Sequence, residues 1–467
     1  MDECINASGN KRFAGRVPVG TSHPITVTKE GQFHVRRHVS GEEITVLACG
    51  LACSEIVSGP NLANVIKAGL EYEKRTVELL EQGLPAPPLS IHTSAGVPDA
   101  LSDFIQELSK HLPWRDTDDW CVTLQMEGAS SVLAAIDLMI QQRHLGADRR
   151  YYNGDLSSWK VAVGATSYHG PPSTSPGANT PLFKQKHNQI TYPVPTPFMT
   201  KSERSHYIDV FREWLETNGD KIGCLLVEPQ WGSTAAGYPW DANLLVQVID
   251  LSHEKGIFVI ADEIMCGLGR HGLGTMFLSQ AWGLDVDAVT FGKAIAAGVY
   301  PLSGAICRNG ATLLGANGRS VLQSHTYSGG NVRSLMTATA VLRLLPTLLP
   351  TVDRTSEHLK SVMEEFACKS QGLFLVQGMG LMWGALINPD HSRINHNSTT
   401  IKSVLTTFKI ECEKNLVLPY FVPIGGFMVT PLFDTDESVF CIIGQRLNNA
   451  LASTMCKLEF VNDQSLS

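Results

Sequence analysis

Apolar positions in the middle of the chain follow one rhythm. From about residue 120 to 308, short runs that are apolar throughout alternate with stretches of helical period. The runs CVTLQM, KVAVGA, CLLVEP, IFVIAD and AVTFG predict buried strands. Strands without polar alternation are expected when helices cover both faces of a parallel sheet. Residues 130–146 predict one of the helices, with Leu133, Ile136, Leu138, Met139 and Ile140 on a broad apolar stripe and Gly146 as its C′ residue. Asp241 is placed to cap another, which runs to Lys255 and stops at Gly256. This alternation predicts an α/β fold with a mostly parallel sheet.

On either side the rhythm changes. PITVTKEGQFHV and EITVLAC read as short strands, followed by a helical stretch near residues 64–80. Downstream, a helix from Val332 is expected to break after Leu345, at Pro346. A further helix, the strand-like GLMWGALI, a helix near 400–415 and a last helix after Asp436 predict a smaller α+β domain. The expected division is an N-terminal segment, 1–85, contributing to the small domain, a large domain, 86–345, and a C-terminal small domain, 346–467. Residues 171–197 are rich in Pro, Ser and Thr and read as a long loop beside the sheet, of the kind that serves a site or is mobile.

Composition narrows the classes. A chain of 467 residues that is 43% hydrophobic and 18% charged has material for a large core and is no disordered chain. With 37 Lys+Arg against 45 Asp+Glu and no basic block, it offers little to nucleic acid or an anionic membrane. The eleven cysteines are odd in number and scattered, and CGLAC, with Cys49 and Cys53, fits neither a redox nor a zinc spacing. They are expected to be reduced and mostly buried, with no metal site. The first twenty residues lack the apolar stretch of a signal peptide, and no uncharged apolar run approaches the about 20 residues of a membrane span. The expectation is a cytoplasmic protein.

Chemistry concentrates at two strand ends. One apolar run ends in Asp262 and Glu263, the other in Phe291-Gly292-Lys293. In a parallel sheet both ends reach the same edge, where ligands bind. A lysine there forms a Schiff base with an aldehyde when its surroundings lower its pKa, and an aspartate there holds a pyridinium nitrogen by a charge-assisted hydrogen bond. Together they suit pyridoxal phosphate. Taken singly, the Asp-Glu pair also reads as a solvated loop start and the lysine as an exposed residue.

The segments ADEIMCGLGRHG and TFGKAIAAG, with VEP at 227–229, HTYSGGN at 325–331, MEGASSVLAAIDL and SYHG, resemble the class III aminotransferases of the fold-type I pyridoxal-phosphate superfamily. The resemblance implies a large cofactor-binding domain with a mostly parallel sheet and a smaller α+β domain. It implies pyridoxal phosphate as cofactor, amine or amino acid and carbonyl compounds as substrates, and a homodimer with shared sites. Lys293 matches the Schiff-base lysine and Asp262 the partner of the pyridine nitrogen. Tyr168 and Ile264 match the residues on the two faces of the ring. Gly128 and Ala129 match the phosphate-binding helix start, which agrees with the free N–H groups of any helix N-terminus. Thr326 matches a hydroxyl that reaches the phosphate of the neighbouring subunit, and Glu228 a carboxylate on the substrate side.

The departures are as informative. Glu127 stands where the family has a hydroxyl beside the phosphate. Phe427 and Gln377 stand where an arginine commonly holds the substrate carboxylate. Phe427 is therefore expected to face the substrate, unless Arg270, Arg308 or Arg333 supplies the clamp. GFMVTPLFDTDE is similar to the tail of the glutamate-1-semialdehyde aminomutase branch. The leading expectation is a transaminase, in specialised biosynthesis. An aminomutase, racemase or decarboxylase on the same scaffold and a non-enzymatic homodimer are the alternatives.

Overall fold

The computed structural model describes residues 34–39, 42–48, 56–92, 95–114, 119–145, 159–170, 177–178, 188–308, 328–392, 394 and 398–464. Near the N-terminus β1 (His34–Val39) and β2 (Glu42–Ala48) form an antiparallel pair. Seven strands make the central sheet: β3 (Trp120–Gln125), β4 (Lys160–Gly164), β7 (Gln189–Tyr192), β8 (Ile222–Val227), β9 (Phe258–Asp262), β10 (Ala288–Phe291) and β11 (Ser303–Arg308). The short strands β5 (Tyr168–His169) and β6 (Gly177–Ala178) pair beside it. The order across the sheet is β3-β11-β10-β9-β8-β4-β7. All five apolar runs are strands, and only β11 opposes the common direction.

Helices cover both faces. Gly128–Leu145 lays Val132, Ala135, Ile136, Met139 and Ile140 on one of them. Leu133, expected on this stripe, is 41% exposed, because it projects away from the sheet. Asp241 caps Ala242–Glu254 as expected, its carboxylate accepting from Leu244 N at 3.0 Å.

The helix from Val332 departs most from expectation. It continues through Pro346 and Pro350 to Lys369. Each proline removes a backbone donor. Burial of Leu345, Leu348, Leu349 and Val352 outweighs that local loss. Among the described residues this is the one helix long and apolar enough to cross a membrane, and 56% of its apolar window is buried inside the fold. A core helix accounts for both properties.

The second sheet follows that helix: β12 (Phe374–Met379), β13 (Met382–Ile387), β15 (Tyr420–Val422) and β16 (Gly426–Val429), antiparallel in the order β12-β13-β16-β15. Helices Ser398–Lys414 and Glu437–Gln464 complete this region. The N-terminal strands join it through β14 (Val417–Leu418), which pairs in parallel with β2. Phe433 N donates to Ile56 O at 2.7 Å, and Ser58 N to the Asp434 carboxylate at 2.9 Å. Glycines let the β12–β13 turn meet the central region backbone to backbone. A Cβ on Gly384 would lie 2.1 Å from Ala236 O, and one on Gly380, at φ +58°, 2.1 Å from Arg270 O. The loop expected at 171–197 and the pair Cys49 and Cys53 lie wholly or largely outside the described residues.

Candidate active site

Parallel pairing brings the predicted residues to one edge. Asp262 at the end of β9 pairs with Thr290 of β10, three residues before Lys293. Val227, just before Glu228, pairs with Ala261. The helix Gly128–Leu145 starts shortly after β3.

Asp262 is the most constrained member, 6% exposed. Its Oδ2 lies 2.7 Å from His169 Nδ1, and its Oδ1 accepts from Thr290 Oγ1 at 3.0 Å and Ile264 N at 3.2 Å. Burial alone disfavours the His169 imidazolium. The hydrogen bond and charge of Asp262 outweigh it, with help from Glu228, and the His169 pKa is raised.

Glu228 is buried and receives Tyr168 N at 2.9 Å and Gly232 N at 3.2 Å. Burial, opposed by His169 and reinforced by Asp262, pushes its pKa up to about 7. The adjacent acids Asp262 and Glu263 do different work. Glu263 turns away to cap the helix Leu278–Trp282, accepting from Leu278 N at 2.6 Å and Ser279 N at 2.8 Å, and burial pushes it too up to about 7.

Lys293 is half-buried and opens the tight turn Lys293–Ala296 at φ +39°. A non-glycine residue held in this region stores strain on the order of 1–3 kcal/mol, and such strain clusters at functional positions. The turn is fixed by Ile295 N donating to Gly292 O at 3.1 Å and Ala297 N to Ala294 O at 2.9 Å.

Ile264 links the turn to the helix start. A Cβ on Gly128 would lie 2.9 Å from Ile264 Cδ1, and one on Gly292 3.3 Å from its Cγ2. A side chain at 128 would have to push the tip of Ile264 aside, so glycine lets the helix begin close to the lysine turn. Ala129 is buried in that first turn. Glu127 supplies its carbonyl to Ser130 N at 3.1 Å and Ser131 N at 3.2 Å while its side chain stays exposed. Tyr168 is 39% exposed, although its backbone is tied to Glu228.

Phe427 requires correction. Its side chain is fully buried in a cluster with Phe366, Phe374, Phe408 and Phe421, at centroid distances of 5.3, 5.9, 5.1 and 6.5 Å. It packs the core between the four-stranded sheet and its helices and leaves no surface for a substrate to touch. Gln377 donates to Ala235 O, fastening β12 to the loop after β8. The three arginines considered as substitutes are engaged. Arg270 is buried, donates to Pro431 O at 2.8 Å and lies over Phe433; Arg308 pairs with Asp285 and Arg333 with Glu73. Thr326 lies outside the described residues.

The sequence reading missed His169, Thr290 and the capping role of Glu263. His169 was within reach, since SYHG places it next to the ring-stacking tyrosine.

The family profile "Aminotransferase class-III" matches residues 88–409. Aminotransferase PigE of Serratia sp. is 26% identical over 48% of this chain and 25% of its own length. Acetylornithine aminotransferase of Methanocaldococcus jannaschii is 28% identical over 55% of this chain and 60% of its own. The matches thus span a quarter to 60% of these relatives. Among solved structures, the omega-transferase from Vibrio fluvialis JS17 superposes with a TM-score of 0.75 over 93% of this chain and all of its own, at 16% identity. The fold is that of the fold-type I transaminases. With a family match across well over half of its length, the chain belongs to the class III aminotransferases.

Proposed function

We propose that this chain is a pyridoxal-phosphate-dependent transaminase moving an amino group from an amine or amino acid donor to a carbonyl acceptor. One observation carries the reading: the buried, triply bonded Asp262 carboxylate shares a sheet edge with the strained Lys293 turn. The residues fit the cofactor. Asp262 suits a protonated ring nitrogen, and the closely packed Gly128–Ala129 helix start suits a phosphate. Ile264 and the exposed ring of Tyr168 suit its two faces.

When bound, pyridoxal phosphate supplies an amine-reactive aldehyde and a ring that withdraws electrons from the bond being broken. The chain's residues do the rest. Asp262 sustains positive charge on its partner, and His169 and Thr290 hold its carboxylate in place. Lys293 Nζ takes and returns the proton at the substrate carbon, as base and then acid. Glu228 anchors the Tyr168 backbone on the substrate side. With Gln377 bonded to Ala235 O and with Arg270, Arg308 and Arg333 engaged elsewhere, we expect primary amines to be used better than substrates that need an arginine-held α-carboxylate.

We place the enzyme in the cytoplasm as a homodimer. Leu70, Val77, Leu80, Leu84 and Leu89 leave an exposed apolar strip along and after the helix Gly59–Glu81, which suits a partner surface. A sedimentation mass of one chain would overturn the dimer.

The test of the activity is spectroscopic. In the purified holoprotein a donor amine should bleach the visible cofactor band, and a carbonyl acceptor should restore it. Turnover without bleaching would point to the aminomutase or decarboxylase alternative, and absence of a bound chromophore would overturn the reading. Lys293→Ala should abolish borohydride-reducible attachment and lower turnover by about a thousandfold or more.

A further inference from the structure

Two cysteines stand opposite each other across a strand pair. Cys121 of β3 and Cys307 of β11 are direct antiparallel partners. Both side chains sit on the sheet face beneath the helix Gly128–Leu145, and the two thiols are in hydrogen-bonding contact. Both are reduced. Directly opposed residues on antiparallel strands have Cα atoms about 4.5–5.5 Å apart, inside the 4.4–6.8 Å span of disulfides. The sheet therefore already supplies the separation that a disulfide needs.

The two thiols differ in access. Cys121 is on the edge strand and half-buried, whereas Cys307 is fully buried. The bond to Cys307 holds the Cys121 pKa down, while that same bond and burial push Cys307 up. Cys121 is thus the thiol that an oxidant meets first and the one that ionises more readily.

We propose that Cys121 and Cys307 form a reversible cross-strand disulfide under hydroperoxide, a modification independent of the transaminase reading. The Cys121 thiolate attacks the O–O bond, gaining oxygen as a sulfenic acid, and the departing hydroxide is protonated to water. The Cys307 sulfur then attacks the Cys121 sulfur and displaces its hydroxyl, which leaves as a second water with the Cys307 proton. The two sulfurs lose two electrons and the peroxide gains them. A dithiol reductant reverses the bond by exchange. The staple ties the strand leading to Gly128 to the strand following the Lys293 turn.

The experiment uses the intact protein and hydrogen peroxide. After peroxide, alkylation of remaining thiols in denaturant and digestion, a peptide pair joined through Cys121 and Cys307 should appear, lighter than the two free peptides by two hydrogens. Dithiothreitol should remove it. Cys307→Ala should leave Cys121 trapped as a sulfenic acid that dimedone labels, with labelling at least several-fold above wild type. If Cys121 and Cys307 are both alkylated after the exposed Cys368, Cys441 and Cys456 have been oxidised, the proposal is wrong. Equal dimedone labelling in wild type and Cys307→Ala would overturn it as well. The wild-type mass measurement decides even if the variant fails to fold.

Discussion

The carboxyl edge of the large sheet and the core of the small one are equally buried and built from opposite materials. At the edge, Asp262, Glu228 and His169 are removed from water yet bonded to one another or to backbone N–H groups. Behind the four-stranded sheet, Phe366, Phe374, Phe408 and Phe427 pack ring against ring among aliphatic side chains, with Phe421 at the margin. A buried charge costs several kcal/mol unless paired, so the first arrangement is kept where chemistry requires it. The second needs no partners and contributes stability through packed area. A side chain's place in the chain therefore says less about its role than the material around it.

Three changes test this contrast, beginning with the largest effect. Asp262→Asn removes the charge while keeping the shape. It should lower kcat by orders of magnitude with far-ultraviolet dichroism and Tm close to wild type. Activity within a few-fold of wild type would show that another group supports the cofactor ring. Phe427→Ala should do the reverse. Truncating a fully buried ring costs about 3–5 kcal/mol, seen as a lower denaturation midpoint, whereas kcat per folded molecule should stay within a few-fold. A selective loss of kcat at unchanged stability would return Phe427 to the substrate side.

The smallest effect is in pH. Glu228 and Glu263 are raised from 4.5 to about 7 in the folded protein. Between those values the fold holds protons that the unfolded chain releases. Stability is fully present below about pH 4.5 and is lost as pH rises through about 7, by up to about 3 kcal/mol for each group. Apoprotein Tm should therefore decline across that window, and Glu228→Gln should flatten the decline. A Tm that climbs between pH 5 and 7 in both proteins would contradict the assignment.

The central strands were legible because a doubly covered sheet leaves unbroken apolar runs, and the strand-end Asp262 and Lys293 because parallel pairing forces them to one edge. The four-stranded sheet was harder for a related reason. All four residues of β16, Gly426–Val429, are buried, so no polar alternation marks which face Phe427 takes. Pro346 misled in another way: local chemistry argues for a break, and only contacts distant in sequence keep the helix whole. Asp262 and Glu263 were legible as acids, but their separate duties depend on partners, His169 and Ser279, that no local pattern connects to them.

The helix Val332–Lys369 has a mechanical consequence. At about 1.5 Å per residue its 38 residues make an axle close to 57 Å long. Its first half lies against the helix Gly59–Glu81, where Gly69 faces Thr337, and its second half lies, through Phe366, against Phe374 of β12 and Phe427 of β16. Bending stiffness in a helix comes from its ladder of backbone bonds, and Pro346 and Pro350 each delete a rung a single turn apart. Bending of the rod is therefore relieved first over that one turn, leaving the stretches on either side straight.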